Sequence, residues 1–152
     1  MSTPIKRFLL RLALEEAIRR EEQSYSFYKS ALAAVQEPGA VDLLRTLCAE
    51  ELRHRLKLEE LQRREDTEIP LDVEPHEEAV LFGPDGPESF PSDRPVSPDA
   101  IWRLALVKER QSHAHYALLA QKATIAAFRD VFRFLSAEEY RHVEWVRARV
   151  GQ

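Results

Sequence analysis

Hydrophobic positions recur at alternating steps of three and four along most of the chain, the period of a helix with one buried face. The first stripe runs Leu14, Ile18, Glu21, Tyr25, Tyr28, Leu32 and Val35. It is entered through Thr3-Pro4, a capping residue followed by a proline where a helix tolerates one. This predicts a helix over 3–36, broken by Glu37-Pro38-Gly39. A second stripe, Leu44, Leu47, Glu51, His54, Leu58 and Leu61, predicts a helix over 40–64. Ser97-Pro98-Asp99 repeats the capping chemistry and places an acid in a first turn, where the helix dipole favours it. The third stripe then carries Trp102, Leu106, Glu109, His113, Tyr116 and Ala120. After a break near Thr124, the fourth carries Phe132, Leu135, Glu139, His142 and Val146.

The two helical hairpins, 3–64 and 98–149, are separated by a belt over 66–97, and seven of the nine prolines fall between Pro70 and Pro98. The fold class read from this is all-α: one domain over 1–152, a four-helix bundle of two hairpins with a long proline-rich crossover. Three-residue turns join antiparallel neighbours. About thirty residues at ~3.3 Å each can span the length of a bundle, which makes the second and third helices parallel. Leu71, Val73, Val80, Leu81 and Phe82 are expected to pin the crossover to the bundle surface.

The chain also repeats itself. A shift of 88 positions lays Glu21, Gln23, Ser24 and Tyr28 on Glu109, Gln111, Ser112 and Tyr116. The same shift lays Asp42, Arg45, Leu47, Ala49, Glu50, Glu51, Arg53 and His54 on Asp130, Arg133, Leu135, Ala137, Glu138, Glu139, Arg141 and His142. Duplication of one hairpin implies a pseudo-two-fold axis.

Composition narrows the function classes. No apolar run exceeds five residues, so neither a membrane span nor a signal-peptide core is expected. A net charge of -4, with 22 basic residues mixed among 26 acidic ones, offers no stripe for phosphates and argues against nucleic acid. The single cysteine, Cys48, cannot build a disulfide or a four-cysteine metal site, and it points to the cytoplasm. Cys48 reads as a small, half-buried thiol.

Six residues on the inward stripes are not hydrophobic. Glu51 with His54 and Glu139 with His142 form two Glu-x-x-His pairs, and each is preceded by a glutamate 30 residues upstream, Glu21 and Glu109. In both hairpins the partners stand about 15 residues, ~22 Å, from the turn and so share one height. A lone buried carboxylate costs several kcal/mol unless it is paired, protonated or bound to metal. Four carboxylates in one core repel one another, whereas two divalent cations cancel them and two neutral histidines add nitrogen ligands without charge. One Glu from each of two helices and a Glu-x-x-His from each of the others is the ligand set of di-iron and di-manganese carboxylate bundles. The alternative is a solvated or proton-sharing bundle.

At these residues the chain resembles the ferritin-like superfamily and, within it, the rubrerythrin family. The likeness rests on Arg20-Glu21-Glu22-Gln23-Ser24-Tyr25-Ser26-Phe27-Tyr28, on Ala49-Glu50-Glu51-Leu52-Arg53-His54, and on their counterparts in the second hairpin. The resemblance implies that Glu51 and Glu139 bridge two metal ions, that Glu21 and Glu109 are terminal ligands, and that His54 and His142 bind one ion each. It also implies that Tyr28 and Tyr116, the candidate catalytic residues, donate hydrogen bonds to ligand carboxylates; ordinary core packing is the other reading. Two departures stand out. Rubrerythrins that reduce peroxide commonly carry an extra glutamate three residues after the third-helix ligand, where this chain has Ser112. No cysteine pair of a rubredoxin domain occurs before Gln152.

The remaining polar and aromatic residues have plain readings beside sharper ones. His113 reaches or gates the site, or makes an ordinary interior hydrogen bond; His115 and His76 are expected to face solvent. Tyr25 lies near the metals as an electron relay, or fills the core. Glu50 and Glu138, one step off the stripe, are expected to pair with arginines, and Trp102 and Trp145 to be core or dimer contacts.

The resulting expectation is a non-haem di-iron oxidoreductase that reduces hydrogen peroxide or dioxygen. Its cofactor is two iron ions, with manganese or zinc as possible occupants, and its electrons come from an external donor protein. Oxidation of ferrous iron for storage or delivery is the alternative, and a metal-free interaction module a third. Apolar faces at Phe8, Leu12 and Trp145 suggest a homodimer.

Overall fold

The structure, a computed structural model, describes residues 3–65 and 97–151, with side chains from Arg7 onward. The crossover expected over 66–97, the five hydrophobes assigned to pin it, and His76 lie outside the described residues, apart from Ser97. Four helices make up the described chain: α1 (Thr3–Ala34), α2 (Pro38–Glu65), α3 (Pro98–Lys122) and α4 (Ala126–Arg147). They form the all-α bundle of two hairpins that the periodicity predicts.

The helix ends show why the boundaries shift by a few residues. Helix α2 begins at Pro38 rather than at residue 40, because the Glu37 carboxylate accepts hydrogen bonds from the amides of Gly39 at 3.1 Å and Ala40 at 2.9 Å. Those amides have no partner within the helix, and a carboxylate there also complements the dipole. At α3, Ser97 is extended and its Oγ accepts from the Ala100 amide at 3.3 Å, as the Ser-Pro-Asp signature requires. Asp99 accepts from the backbone N–H of Gly151 at 2.7 Å, which ties the far end of the chain to the start of the second hairpin. Gly151 has φ of 83°, a conformation that a side chain would strain.

The relative directions of the helices follow from contacts between the hairpins. Tyr28 bonds to Glu109 and Tyr116 to Glu21, so α1 and α3 run antiparallel. His54 approaches Glu139 while His142 approaches Glu51, so α2 and α4 are antiparallel as well. Since each hairpin is antiparallel within itself, α2 and α3 are parallel, as the length of the belt suggests.

Two apolar clusters occupy the bundle. One contains Leu14, Leu58, Leu61, Phe128, Phe132 and Leu135; the other contains Phe27, Leu44, Leu47, Ile101, Trp102 and Val146. Between them lies a layer of buried polar side chains. Glu16 is fully buried and held by Arg19 at 2.5 Å and Arg20 at 3.1 Å. Leu12 is buried within the chain itself, so it no longer argues for contact with a second copy. Among the described residues, no helix is long and apolar enough to cross a membrane.

Candidate metal centre

The six polar residues of the inward stripes converge. Glu21, Glu51, His54, Glu109, Glu139 and His142 are each at most 3 % exposed, although four of them are carboxylates. They form two overlapping groups whose ligand atoms lie within 4.8 Å of one another: Glu21, Glu51, His54 and Glu139, and Glu51, Glu109, Glu139 and His142. Glu51 and Glu139 belong to both, and each of the other four to one. This is the geometry of two adjacent cation positions sharing a pair of carboxylates.

Both imidazoles present the same edge to this layer. His54 Nδ1 lies 3.2 Å from Glu139, 3.7 Å from Glu21 and 3.8 Å from Glu51. His142 Nδ1 lies 3.0 Å from Glu51, 3.3 Å from Glu139 and 3.4 Å from Glu109. The rings are nearly parallel, at 13°, with centroids 5.3 Å apart.

The tyrosines divide the labour of the terminal carboxylates. Tyr116 donates to Glu21 Oε1 at 2.5 Å, and Tyr28 donates to Glu109 Oε1. Each bond crosses from one hairpin to the other. The second oxygens, Glu21 Oε2 and Glu109 Oε2, are buried and have no hydrogen-bond partner, as do Glu51 Oε1, Glu139 Oε2 and His142 Nδ1. Buried polar atoms are rarely left without a partner. Here the orphaned atoms are oxygens and an imidazole nitrogen gathered at one point, the donor set that suits a divalent transition metal. The residues therefore fit a pair of such ions.

Electrostatics agree. Burial, with repulsion from Glu139, Glu21 and Glu109, pushes the Glu51 carboxyl well above the usual carboxylate range. Burial and the charges of Glu109 and Glu21 do the same to Glu139. Burial also raises Glu21 and Glu109, but their polar neighbours outweigh it and hold both below the usual range: the nearby His54, Glu51 and the Tyr116 hydroxyl act on Glu21, and Glu139, His142 and the Tyr28 hydroxyl on Glu109. Burial opposes charge on both histidines, yet the surrounding carboxylates raise them. Burial and the adjacent glutamates push both tyrosines well above the ordinary phenol, so each keeps its proton. Without cations the layer holds its charge only by retaining protons.

Around the layer, the plain readings mostly hold. His113 lies outside both groups and donates from Nδ1 to the Ser136 carbonyl at 2.8 Å, an ordinary interior bond. Tyr25 is half-buried, with the Lys29 ammonium 5.9 Å from its ring centre. Ser112 is half-buried. Cys48 is half-buried, and burial pushes its thiol up to about 11. Trp102 belongs to the core. His115 differs from expectation: it is half-buried rather than solvent-facing, and burial, with Arg20 nearby, lowers it to about 4. Trp145 packs against the core, as expected, and its ring also stacks on His142 at 5.3 Å and 28°, directly behind a candidate ligand. The repeat could not reveal that contact, because the position matching Trp145 is Lys57.

Residues 5–62, essentially the first hairpin, match the rubrerythrin family model. That stretch holds Glu21, Glu51 and His54 but none of the candidate ligands of the second hairpin. The fold is similar to that of a hypothetical protein from Pyrococcus furiosus, with a TM-score of 0.65 and 21% identity over 92% of this chain and 87% of that one. At that identity the likeness concerns the fold alone. No curated protein matches significantly. The family match, the shared fold and the paired Glu/His groups together support the resemblance to ferritin-like di-iron carboxylate proteins.

Proposed function

We propose that this chain is a non-haem di-iron oxidoreductase of the rubrerythrin type, reducing hydrogen peroxide or dioxygen with electrons from a separate donor protein. The observation that carries the reading is the pair of four-residue groups sharing Glu51 and Glu139, with a buried, partnerless ligand oxygen on every glutamate. Glu21, Glu51, His54 and Glu139 would hold one ion, and Glu51, Glu109, Glu139 and His142 the other. Two ferrous ions held there supply one electron each, so that hydrogen peroxide, taking up two protons, leaves as two waters without passing through a free radical.

The protein's own part is positioning and exclusion of water. Tyr28 and Tyr116 each fix one oxygen of a terminal glutamate and leave the other for the centre, so both carboxylates are oriented before any ion arrives. Their hydroxyls keep their protons and remain donors throughout. The apolar clusters on either side close the layer to water along the bundle axis. Inside such a layer electrostatic interactions are stronger than at the surface.

Ser112 favours a second reading, oxidation of ferrous iron for storage or delivery, because this position lacks the extra glutamate common in peroxide-reducing relatives. One experiment separates the readings. The purified protein is loaded anaerobically with ferrous iron and mixed with peroxide, and iron oxidation and peroxide consumption are followed together. Rapid oxidation of two ions per chain with repeated turnover on added reductant supports the oxidoreductase, and retention of many ferric ions per chain supports storage. Glu51→Ala and Glu139→Ala should abolish the rapid phase; rates equal to those of the unaltered protein would reject both readings.

A further inference from the structure

The outward side of α3 carries an apolar seam. Leu104, Val107 and Leu118 are 38 %, 54 % and 48 % exposed, and with Gln111 and Ala114, also exposed, they recur at alternating steps of three and four. That spacing is the a/d pattern of a helix that packs against another helix, yet these five side chains face outward. Residues flanking such a seam set the choice of partner. The charged ones here are Arg103, Lys108, Arg110 and Lys122. Between Ala100 and Lys122 the one acid is Glu109, which is 2 % exposed and belongs to the metal layer. Asp99 pairs with Arg103 at 2.7 Å, which leaves the positive charge of the other three in excess. The groove between α3 and α4 extends this surface. It is lined by His113, Ala117, Gln121, Arg133 and Tyr140 among others, and no lining residue is acidic. Tyr140 is exposed, with its ring 5.3 Å from that of His113.

The cavity between α2 and α4 makes the contrast. Leu56 and Phe134 line it, but its four cations meet three acids. As expected from the sequence, Glu50 and Glu138 pair with arginines: Arg53 binds Glu50, and Arg141 binds Glu138 and reaches across to Glu50 at 3.4 Å. Charge on that face is satisfied from within, whereas on α3 it is not.

Charge also decides what can cover the seam. A second copy of the chain laid on it in either direction brings cation against cation: Arg110 against Arg110 and Lys108 against Lys122 when antiparallel, Arg103 against Lys108 when parallel. A basic, partly apolar face on a chain of net charge -4 fits a surface of the opposite design, an apolar centre ringed by carboxylates. We propose that the outer face of α3, with its groove to α4, is the docking surface for an acidic protein partner, the separate electron donor that the proposed activity requires. Its position suits that task. Glu109 stands on the inner side of the same helix, so a seated donor meets the candidate centre across one helix, ~10–12 Å wide. Each visit supplies one electron and the donor leaves oxidised, so two visits supply the two electrons that peroxide takes. Electron-transfer interfaces are small, below about 1,200 Å², and three apolar side chains within a cationic rim match that scale. This inference rests on the oxidoreductase reading above and gives its partner a place.

The full chain, loaded with zinc and labelled with nitrogen-15, tests it by titration with a small acidic iron–sulfur protein as the probe. Changes in amide signals should gather at Leu104, Val107, Gln111 and Leu118 and at Arg133 and Tyr140, and affinity should fall as salt is raised. Arg110→Gln/Lys122→Gln should weaken binding ~3–10-fold. Lys57→Gln/Arg63→Gln, which removes the same charge from the α2/α4 cavity, should change it less than about twofold. Val107→Ser/Leu118→Ser should also weaken binding, with unchanged far-ultraviolet dichroism. With iron in place, reduction by the probe should slow in Arg110→Gln/Lys122→Gln by the factor lost in binding, while a small uncharged reductant works at its former rate. No saturable change, changes mapped to the α2/α4 side, or equal weakening in both charge variants would overturn the inference. A concentration-dependent dimer whose contacts map to this face would overturn it in favour of a second copy. Salt-dependent changes along the seam without the probe would overturn it in favour of the acidic 66–96 stretch of the same chain. A chain that takes up neither zinc nor iron yet binds the probe at α3 would overturn the oxidoreductase reading and the donor's role, and leave the docking surface standing.

Discussion

The two halves of the centre share a ligand set but not their surroundings. His142 is completely buried, with Trp145 stacked on its face and the Arg141 guanidinium 5.0 Å over the indole. The repeat puts Lys57 where Trp145 stands, and Lys57 turns away to lie 4.4 Å over Phe134. His54 is therefore not covered in the same way and helps to line an open surface cavity with Lys57, Glu50 and Glu138. Duplication preserved the six candidate ligands and let the residues behind them diverge. The halves should thus be equal in coordination and unequal in access.

The largest effect should come from residues that belong to both halves. Glu51→Ala or Glu139→Ala removes a ligand from each group, and metal analysis after reconstitution should find neither ion retained. Glu21→Ala and Glu109→Ala each disturb one group, so each variant should keep one ion per chain and lose the other. Loss of both ions from Glu21→Ala would mean that the halves are not separable.

Acidity should sharpen the picture next. In the metal-free protein Glu51 and Glu139 are raised above 4.5, and the two histidines above 6.5. Groups raised on folding contribute stability that is complete below their unfolded values and is lost as pH climbs through the folded ones. Glu21 and Glu109 have the opposite sign, but their contribution changes only below 4.5. The metal-free protein should therefore lose stability as pH rises above about 4.5. Metal affinity should climb over the same range, because ions displace the retained protons. Thermal melts with and without cobalt should separate progressively as pH increases, and proton release on binding should be visible with an indicator dye. Parallel melting curves would contradict the proton-sharing account.

The smallest effect tests the covering residue itself. Trp145→Ala should leave two ions bound but speed the exchange of one of them by roughly tenfold, about 1.4 kcal/mol in barrier. The ion concerned is the one in the His142 half, so the two exchange rates should converge. Stopped-flow chelation with a chromophoric chelator measures both phases. A variant whose two phases stay as far apart as before would show that Trp145 does not set access.

The helices, their pairing and the six converging residues were legible from the chain because each is encoded by spacing. A period of 3.6 selects one face, and equal distances from two turns set one height, so Glu21, Glu51 and His54 could be placed together without coordinates. Duplication doubled that evidence. Residues one step off the stripe were harder to read, since their role depends on which neighbouring helix they meet. Glu50 and Glu138 read correctly as partners of arginine, yet their approach to the histidines emerges only when α2 is laid against α4. The burial of Glu16 was not legible, because sequence does not show that Arg19 and Arg20 can reach it from their more exposed positions.

Sequence alone determined the all-α hairpins, the capped start of α3, and the collection of carboxylates and imidazoles at one level. These follow from local periodicity and from the cost of burying charge, and both are properties of the chain in order. Only the tertiary structure decided that each tyrosine serves the other hairpin's glutamate, that Trp145 seals one histidine while its counterpart turns away, and that the outer nitrogens of both histidines face a pair of acids. Those contacts join residues more than 80 positions apart or depend on ring orientation, which the pattern of one helix does not contain.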